Sequence, residues 1–140
     1  MFTLLRKWSH HIWLALTWSV ITQALLVLPG SLFSGPGLFS IPHLDKIAHL
    51  GLFGGLVTTW SLFYYFRKQP AIGNHGFLWW AVLLVFLYGV LMEFVQRNFI
   101  PNRTFDVGDI IADLGGGLIG YILAQAVLRW DKRHKPYKKN

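Results

Sequence analysis

Four long apolar segments alternate with short polar stretches along the chain of 140 residues. They cover about residues 11–28, 47–66, 77–95 and 110–128. Each is close to the ~20 apolar residues that an α-helix needs to cross the hydrocarbon core of a bilayer. The segments are apolar all round, without the polar face that a half-buried helix of a soluble domain repeats every three or four residues. The pattern predicts an all-α polytopic membrane protein, a bundle of four transmembrane helices.

The composition also indicates a bilayer environment. Hydrophobic residues make up 54% of the chain and charged residues only 14%, whereas soluble domains carry about a quarter charged residues. Cysteine is absent from the sequence, which excludes disulfides, cysteine-ligated zinc and a cysteine nucleophile. The first apolar run is long and is followed by no small-x-small cleavage pattern, so we expect it to be a retained span and not a signal peptide.

The basic residues predict the orientation of the helices. Lysine and arginine total 13, and ten of them flank one side of the predicted spans: Arg6, Lys7, Arg67, Lys68, Arg129, Lys132, Arg133, Lys135, Lys138 and Lys139. By the positive-inside rule, both termini lie in the cytoplasm, and residues 129–140 form a basic cytoplasmic tail. The loops near 29–46 and 97–108 then face outward.

The net charge of +7 does not indicate nucleic-acid binding. The positive charge lies at cytoplasmic helix ends, where membrane topology and anionic headgroups already account for it. We therefore expect the lipid bilayer as a partner, no nucleic acid, and a multi-pass location in the cell membrane.

The acidic residues are segregated to the outward side. Of the six in the chain, five fall at outward helix ends, namely Asp45, Glu93, Asp106, Asp109 and Asp113, and Asp131 falls at the cytoplasmic side. Residues three or four apart share a helix face, which groups Asp45 with His49, and Asp109 with Asp113. Three helix ends therefore offer polar groups at one depth.

Some of these residues have ordinary structural interpretations. Asp45 and Asp109 stand where a helix is predicted to begin, so each can cap backbone N–H groups there. Asp106 fits a loop acid, Lys46 an interfacial anchor and His49 an interfacial aromatic residue.

Glu93 and Asp113 do not fit these interpretations. Each lies about one turn inside an apolar segment, where an unpaired charge costs at least ~2.5 kcal/mol. We therefore expect partners for both, and the available side chains are those of Lys46, His49, Gln96 and Arg103. In particular, we expect Arg103 to neutralise Glu93 or a neighbouring aspartate.

Two helix starts resemble each other. The segments DKIAHLG at 45–51 and DIIADLG at 109–115 agree in five of seven positions. A parallel duplication would place His49 and Asp113 at corresponding positions about an axis along the membrane normal. Both segments run into glycine-rich helices, in which Gly51 with Gly55, and Gly116 with Gly120, form small-xxx-small pairs that predict close helix packing.

The order of the polar motifs resembles the VanZ-like family of small integral membrane proteins. DKIAH is followed by GVLMEFVQRNFIPNRTFDVGDIIADLGGGLIG, which matches the family pattern over residues 45–122. The family positions fall on Asp45, Lys46, His49, Glu93, Gln96, Pro101, Arg103, Asp106 and Asp109. Asp113 departs from the pattern, since the family usually has asparagine there. The resemblance implies a single membrane domain, residues 1–140. The family is named for an accessory protein of glycopeptide resistance, so the resemblance also implies association with the cell envelope.

The sequence leaves two classes of function open. One is a site for an anionic, lipid-linked or other envelope ligand, formed by Asp45, Lys46, His49, Glu93, Gln96, Arg103, Asp106, Asp109 and Asp113. In it His49, Glu93 and Asp109 are candidate catalytic residues, and Asp45, Asp106 and Asp109 are candidate ligands of a divalent cation. The other is a non-catalytic polar cluster that locks the bundle and presents a surface to another envelope protein. No HExxH, P-loop or GxSxG signature decides whether the chain is an enzyme. A proton or ion path is less favoured, since the cytoplasmic half has no comparable acid.

Overall fold

The computed structural model describes residues 12–29, 31, 43–68 and 76–134. It contains four helices: α1 (Trp13–Leu26), α2 (Leu44–Lys68), α3 (Gly76–Phe99) and α4 (Val107–His134). All the regular structure in the described part of the chain is helical, which confirms the all-α prediction. The basic residues Arg6 and Lys7, most of the loop near 29–46, and the tail beyond residue 134 lie outside the described residues.

Three of the helices are long and apolar enough to cross a membrane: α2, α3 and α4. The described part of α1 has 14 residues, fewer than a span needs. The three later spans of the sequence prediction are therefore matched by helices, whereas the first span and the orientation of both termini remain predictions. Large apolar side chains on the outer surface, such as Trp80, Leu84, Ile111 and Ile122, are more than half exposed. These side chains suit contact with lipid.

Helix α2 packs against the other three helices, most extensively against α4. The α2–α4 contact depends on glycines that let the two backbones touch. A Cβ atom on Gly116 would overlap the carbonyl oxygen of Leu50, and one on Gly120 would overlap that of Gly54. A Cβ on Gly54 itself would lie 3.0 Å from the carbonyl oxygen of Gly116. The prediction of close packing thus applies to Gly116 and Gly120 of α4.

The small-xxx-small pair predicted in α2 does not form this contact. Gly51 faces open space, and Gly55 lies against the indole ring of Trp18 in α1. The indole N–H of Trp18 donates to the carbonyl oxygen of Leu52 at 2.9 Å. Gly54, which the spacing argument left unpaired, is the α2 glycine that meets α4. Spacing identifies residues on one helix face but not which neighbour that face contacts.

One end of the bundle brings together the C-terminal ends of α1 and α3 and the N-terminal ends of α2 and α4. An apolar cluster lies next to this end, formed by Leu26, Leu52, Phe53 and Met92. A second cluster fills the opposite end, where Leu62, Tyr65, Phe66, Leu78, Ala124 and Leu128 are buried. The polar residues singled out in the sequence lie at the first end.

Candidate functional site

The start of α4 is capped by Asp106. Its carboxylate Oδ1 accepts a hydrogen bond from the backbone N–H of Gly108 at 2.6 Å, and its carbonyl oxygen accepts one from the N–H of Asp109 at 3.1 Å. This is the arrangement of a helix N-cap. The capping role considered for Asp109 therefore belongs to Asp106, because α4 begins at Val107, three residues before the predicted span.

Lys46 connects the starts of α2 and α4. Its ammonium Nζ lies 2.6 Å from Oδ2 of Asp106, 3.1 Å from Oδ1 of Asp109 and 3.4 Å from Oδ2 of Asp45. The Lys46 side chain, followed by the Gly108 N–H, holds the pKa of the Asp106 carboxyl below its ordinary value of 3.8. Lys46 is thus the charge partner of three carboxylates and more than an interfacial anchor.

Deeper in the bundle, His49 of α2 pairs with Asp113 of α4. Nδ1 of His49 lies 2.8 Å from Oδ1 of Asp113, and the two residues are 4% and 1% exposed. They occupy corresponding positions in the two similar helix starts. Oδ2 of Asp113 has no hydrogen-bond partner among the described residues. Gly89 of α3 faces this carboxylate so closely that a Cβ atom there would overlap it.

Glu93 of α3 is also buried, at 1% exposure. Its Oε2 accepts a hydrogen bond from the backbone N–H of Asp106 at 2.9 Å, whereas its Oε1 has no partner in the described part of the chain. The partner expected from the sequence was a side chain. A backbone N–H was missed because residue types along the chain do not indicate the path of the loop that precedes α4. In that loop Asn102 has a positive φ of 58°.

Gln96 and Arg103 contact the end of α1. The side-chain amide of Gln96 donates to the carbonyl oxygen of Leu26 at 2.8 Å, and Nε of Arg103 donates to that of Leu28 at 3.4 Å. The last carbonyls of a helix have no partner within the helix. Gln96 therefore satisfies the last carbonyl of α1, Arg103 binds the chain two residues after the helix ends, and both tie α1 to the rest of the site.

A cavity of about 600 Å³ opens at this end of the bundle. Its polar wall is formed by His43, Asp45, His49, Asn102, Arg103, Thr104, Asp106 and Asp109, and its apolar wall by Leu25, Leu26, Leu44, Ala48 and Leu52. Five of the nine residues predicted from the sequence to bind a ligand thus line one cavity. The other four contact wall residues: Lys46 and Glu93 contact Asp106, Gln96 contacts Leu26, and Asp113 contacts His49.

The wall contains three polar residues that the sequence analysis did not single out: His43, Asn102 and Thr104. Asn102 and Thr104 flank Arg103 between the family positions Pro101 and Asp106, and this placement was the available signal for them. His43 directly precedes α2 and has a positive φ of 61°.

Within residues 12–29, 31, 43–68 and 76–134, two groups of side chains have ligand atoms close enough for a metal ion. In each of them the ligand atoms lie within 4.8 Å of one another, and the groups are Asp45, Asp106 and Asp109, and His49, Glu93 and Asp109. The first is the group expected from the sequence. Its three carboxylates already contact the ammonium of Lys46, so a metal ion would have to displace this ammonium.

Comparison with known proteins agrees with the order of the motifs. The sequence model of the VanZ/LLP1 family matches residues 2–129. No match is found among curated proteins or among solved structures. The family match covers nearly the whole chain and includes every polar residue of the cavity, so this chain belongs to the VanZ/LLP1 family of membrane proteins.

Proposed function

We propose that this protein resides in the cell membrane and binds an anionic, lipid-linked ligand of the cell envelope in the cavity at the ends of its helices. The observation that carries the proposal is the composition of the cavity wall. One part of the wall is polar and places Arg103 and His49 beside three aspartates whose carboxylates contact Lys46, and another part is formed by leucine side chains. An amphiphile with a charged headgroup and an apolar chain matches both parts.

The charges of the bundle support an extracytoplasmic position for the cavity. In the described residues the opposite end carries Arg67, Lys68, Arg129, Lys132 and Arg133. A basic end of this kind faces the cytoplasm by the positive-inside rule. The proposed ligand is therefore a component of the outer leaflet or of the cell wall.

Arg103 is the residue best suited to hold a headgroup. It lies in the cavity wall, and a guanidinium can bind a phosphate or carboxylate through two N–H groups. His49 lies in the wall with its Nδ1 against Asp113. A carboxylate that orients an imidazole in this way leaves Nε2 either to accept a proton or to bind an ion, so His49 is the candidate for the chemistry of the site.

A second function is favoured by different contacts. The bonds of Gln96 to α1 and of Glu93 to the start of α4 link separate helices through buried groups. The same cluster can therefore serve as a non-catalytic lock of the bundle that presents an outer surface to another envelope protein. The two functions differ in what happens to the folded protein when the cavity is altered.

The test compares Arg103→Ala with Arg97→Ala in a deletion strain. Arg97 is an exposed cation at the same end, on α3, and serves as the matched control. We expect Arg103→Ala, at wild-type abundance in the membrane, to fail to restore the wild-type levels of lipid-linked wall precursors and the wild-type susceptibility to glycopeptides. Arg97→Ala should restore both.

Native mass spectrometry of the purified variants in lipid extract completes the test. Loss of a co-purifying anionic lipid in Arg103→Ala, with a folded protein, supports the ligand site. If the variant instead unfolds or is degraded, the structural lock is supported. Equal complementation by both variants, with equal lipid retention, would contradict the ligand site.

A further inference from the structure

The second group of potential metal ligands differs from the first in burial and in its free atoms. His49, Glu93 and Asp109 are 4%, 1% and 5% exposed, and their ligand atoms lie within 4.8 Å of one another. They come from three different helices, α2, α3 and α4. In tetrahedral zinc sites the ligands are separated by about 3.3 Å, so modest side-chain movements close this group around an ion.

Each of the three residues has one potential ligand atom that takes no part in the hydrogen bonds described above. Glu93 uses Oε2 for the Asp106 N–H, and its buried Oε1 has no partner among the described residues. Asp109 uses Oδ1 for Lys46, which leaves Oδ2. His49 has Nδ1 against Asp113, which leaves Nε2. A buried carboxylate oxygen without a hydrogen-bond donor is costly, and such a group calls for an explanation.

Asp113 contacts the ring nitrogen of His49 that would not bind the ion. In metalloproteins the histidine ligand usually donates its other ring N–H to a carboxylate, which fixes the ring orientation and the tautomer. The 2.8 Å contact between Nδ1 of His49 and Oδ1 of Asp113 has this arrangement. The contact thus presents Nε2 as the ligand atom.

We propose that His49, Glu93 and Asp109 bind a divalent transition-metal ion, with zinc as the expected occupant, and that Asp113 orients His49. The imidazole ligand favours a transition metal over magnesium or calcium, which prefer oxygen. Three protein ligands leave a fourth position open, as in zinc sites that bind substrates. His49 and Asp109 also line the cavity, so the open position faces it.

The ion also resolves a difficulty of charge. Asp109 already contacts Lys46, whereas the buried carboxylates of Glu93 and Asp113 have no lysine or arginine ion pair in the described part of the chain, and a divalent cation offsets these two charges. A bound cation further gives an acidic cavity affinity for an anion. That last step rests on the proposed function, whereas the metal site itself does not.

The test measures metal content in the full-length chain, purified in detergent with an affinity tag that contains no histidine. The protein is stripped with a chelator, dialysed against zinc and assayed by mass spectrometry of the metal. We expect one zinc per chain in the wild type, and a thermal unfolding temperature that rises with zinc. Glu93→Gln and His49→Asn should each lower the zinc affinity at least tenfold, and Asp113→Asn about tenfold.

Two controls keep the test decisive. Glu93→Gln retains an oxygen that accepts the Asp106 N–H, so loss of zinc without loss of helical circular dichroism isolates the ligand role. His134→Asn removes an exposed histidine at the far end of α4 and should leave the zinc content unchanged. The proposal is overturned if the wild type retains no zinc, or if Glu93→Gln and His49→Asn both retain the wild-type amount.

The two proposals can fail separately. Zinc binding, together with normal complementation and normal lipid retention by Arg103→Ala, overturns the ligand site and keeps the metal. Failure of zinc binding, with loss of complementation and of lipid in Arg103→Ala, overturns the metal and keeps the ligand site.

Discussion

The contact between α2 and α4 makes a quantitative prediction about two glycines. In Gly116→Ala the new Cβ atom meets the carbonyl oxygen of Leu50, which is backbone and cannot rotate away. In Gly51→Ala the new Cβ atom meets nothing within 4 Å. Both changes gain up to about 1 kcal/mol of helix propensity, so their difference isolates the cost of forcing the two backbones apart.

That cost follows from the overlap. Overpacking of a close contact typically destabilises by about 1–3 kcal/mol, and a collision with backbone falls toward the upper end. For a globular chain of this size, each kcal/mol corresponds to about 3 °C in Tm, so Gly116→Ala should unfold roughly 3–9 °C below Gly51→Ala. Gly51→Ala should match the wild type or exceed it slightly.

The assay is thermal unfolding of both variants in the same detergent, followed by circular dichroism and by the soluble fraction after heating. Zinc binding provides a second measurement, because separation of α2 from α4 also separates His49 from Asp113. Unfolding of Gly116→Ala at the same temperature as Gly51→Ala would refute the assignment of Gly116 to the helix contact.

Three further predictions concern the polar end of the bundle, and thermal unfolding measures each. Asp106→Ala should destabilise by about 1 kcal/mol through loss of the helix cap, and Asp106→Asn by less, since the amide oxygen still accepts the Gly108 N–H; equal losses would exclude the cap. Because the pKa of Asp106 is lowered in the folded protein, its ionised carboxylate contributes fully to stability above the ordinary value of 3.8, and this contribution is lost as the pH falls through the lowered pKa. A pH series in which the Tm of Asp106→Asn falls as steeply as that of the wild type would contradict this. Gln96→Leu should cost about 1–3 kcal/mol by leaving the Leu26 carbonyl without its donor, and an unchanged Tm would show that this bond is dispensable.

The membrane helices were readily predicted from the sequence because lipid imposes a simple requirement. A long apolar segment must be a helix, and α2, α3 and α4 each contain a predicted span. The helix ends were less predictable. Asp106 caps α4 and moves its start to Val107, and a sequence pattern alone does not distinguish the capping acid from its neighbour Asp109.

The gathering of the acids at one end of the bundle was also predictable, because alternating spans bring these helix ends together and the spacing of three or four residues sets the helix face. The individual pairs were not. Lys46 bridges two helix starts, and Glu93 accepts a backbone N–H. Both contacts depend on the relative placement of helices and on the loop before α4, for which residue types carry no direct signal.

The glycine contact between α2 and α4 also limits the paths by which water and ions can reach the buried side chains of His49 and Asp113. It begins at Leu50, next to His49, and continues to Gly120 with backbone against backbone. A water molecule needs about 30 Å³, and a seam this tight has no room for a file of them. The seam between α2 and α4 therefore offers no water-filled route for a proton or ion from His49 and Asp113 toward the basic end of the bundle.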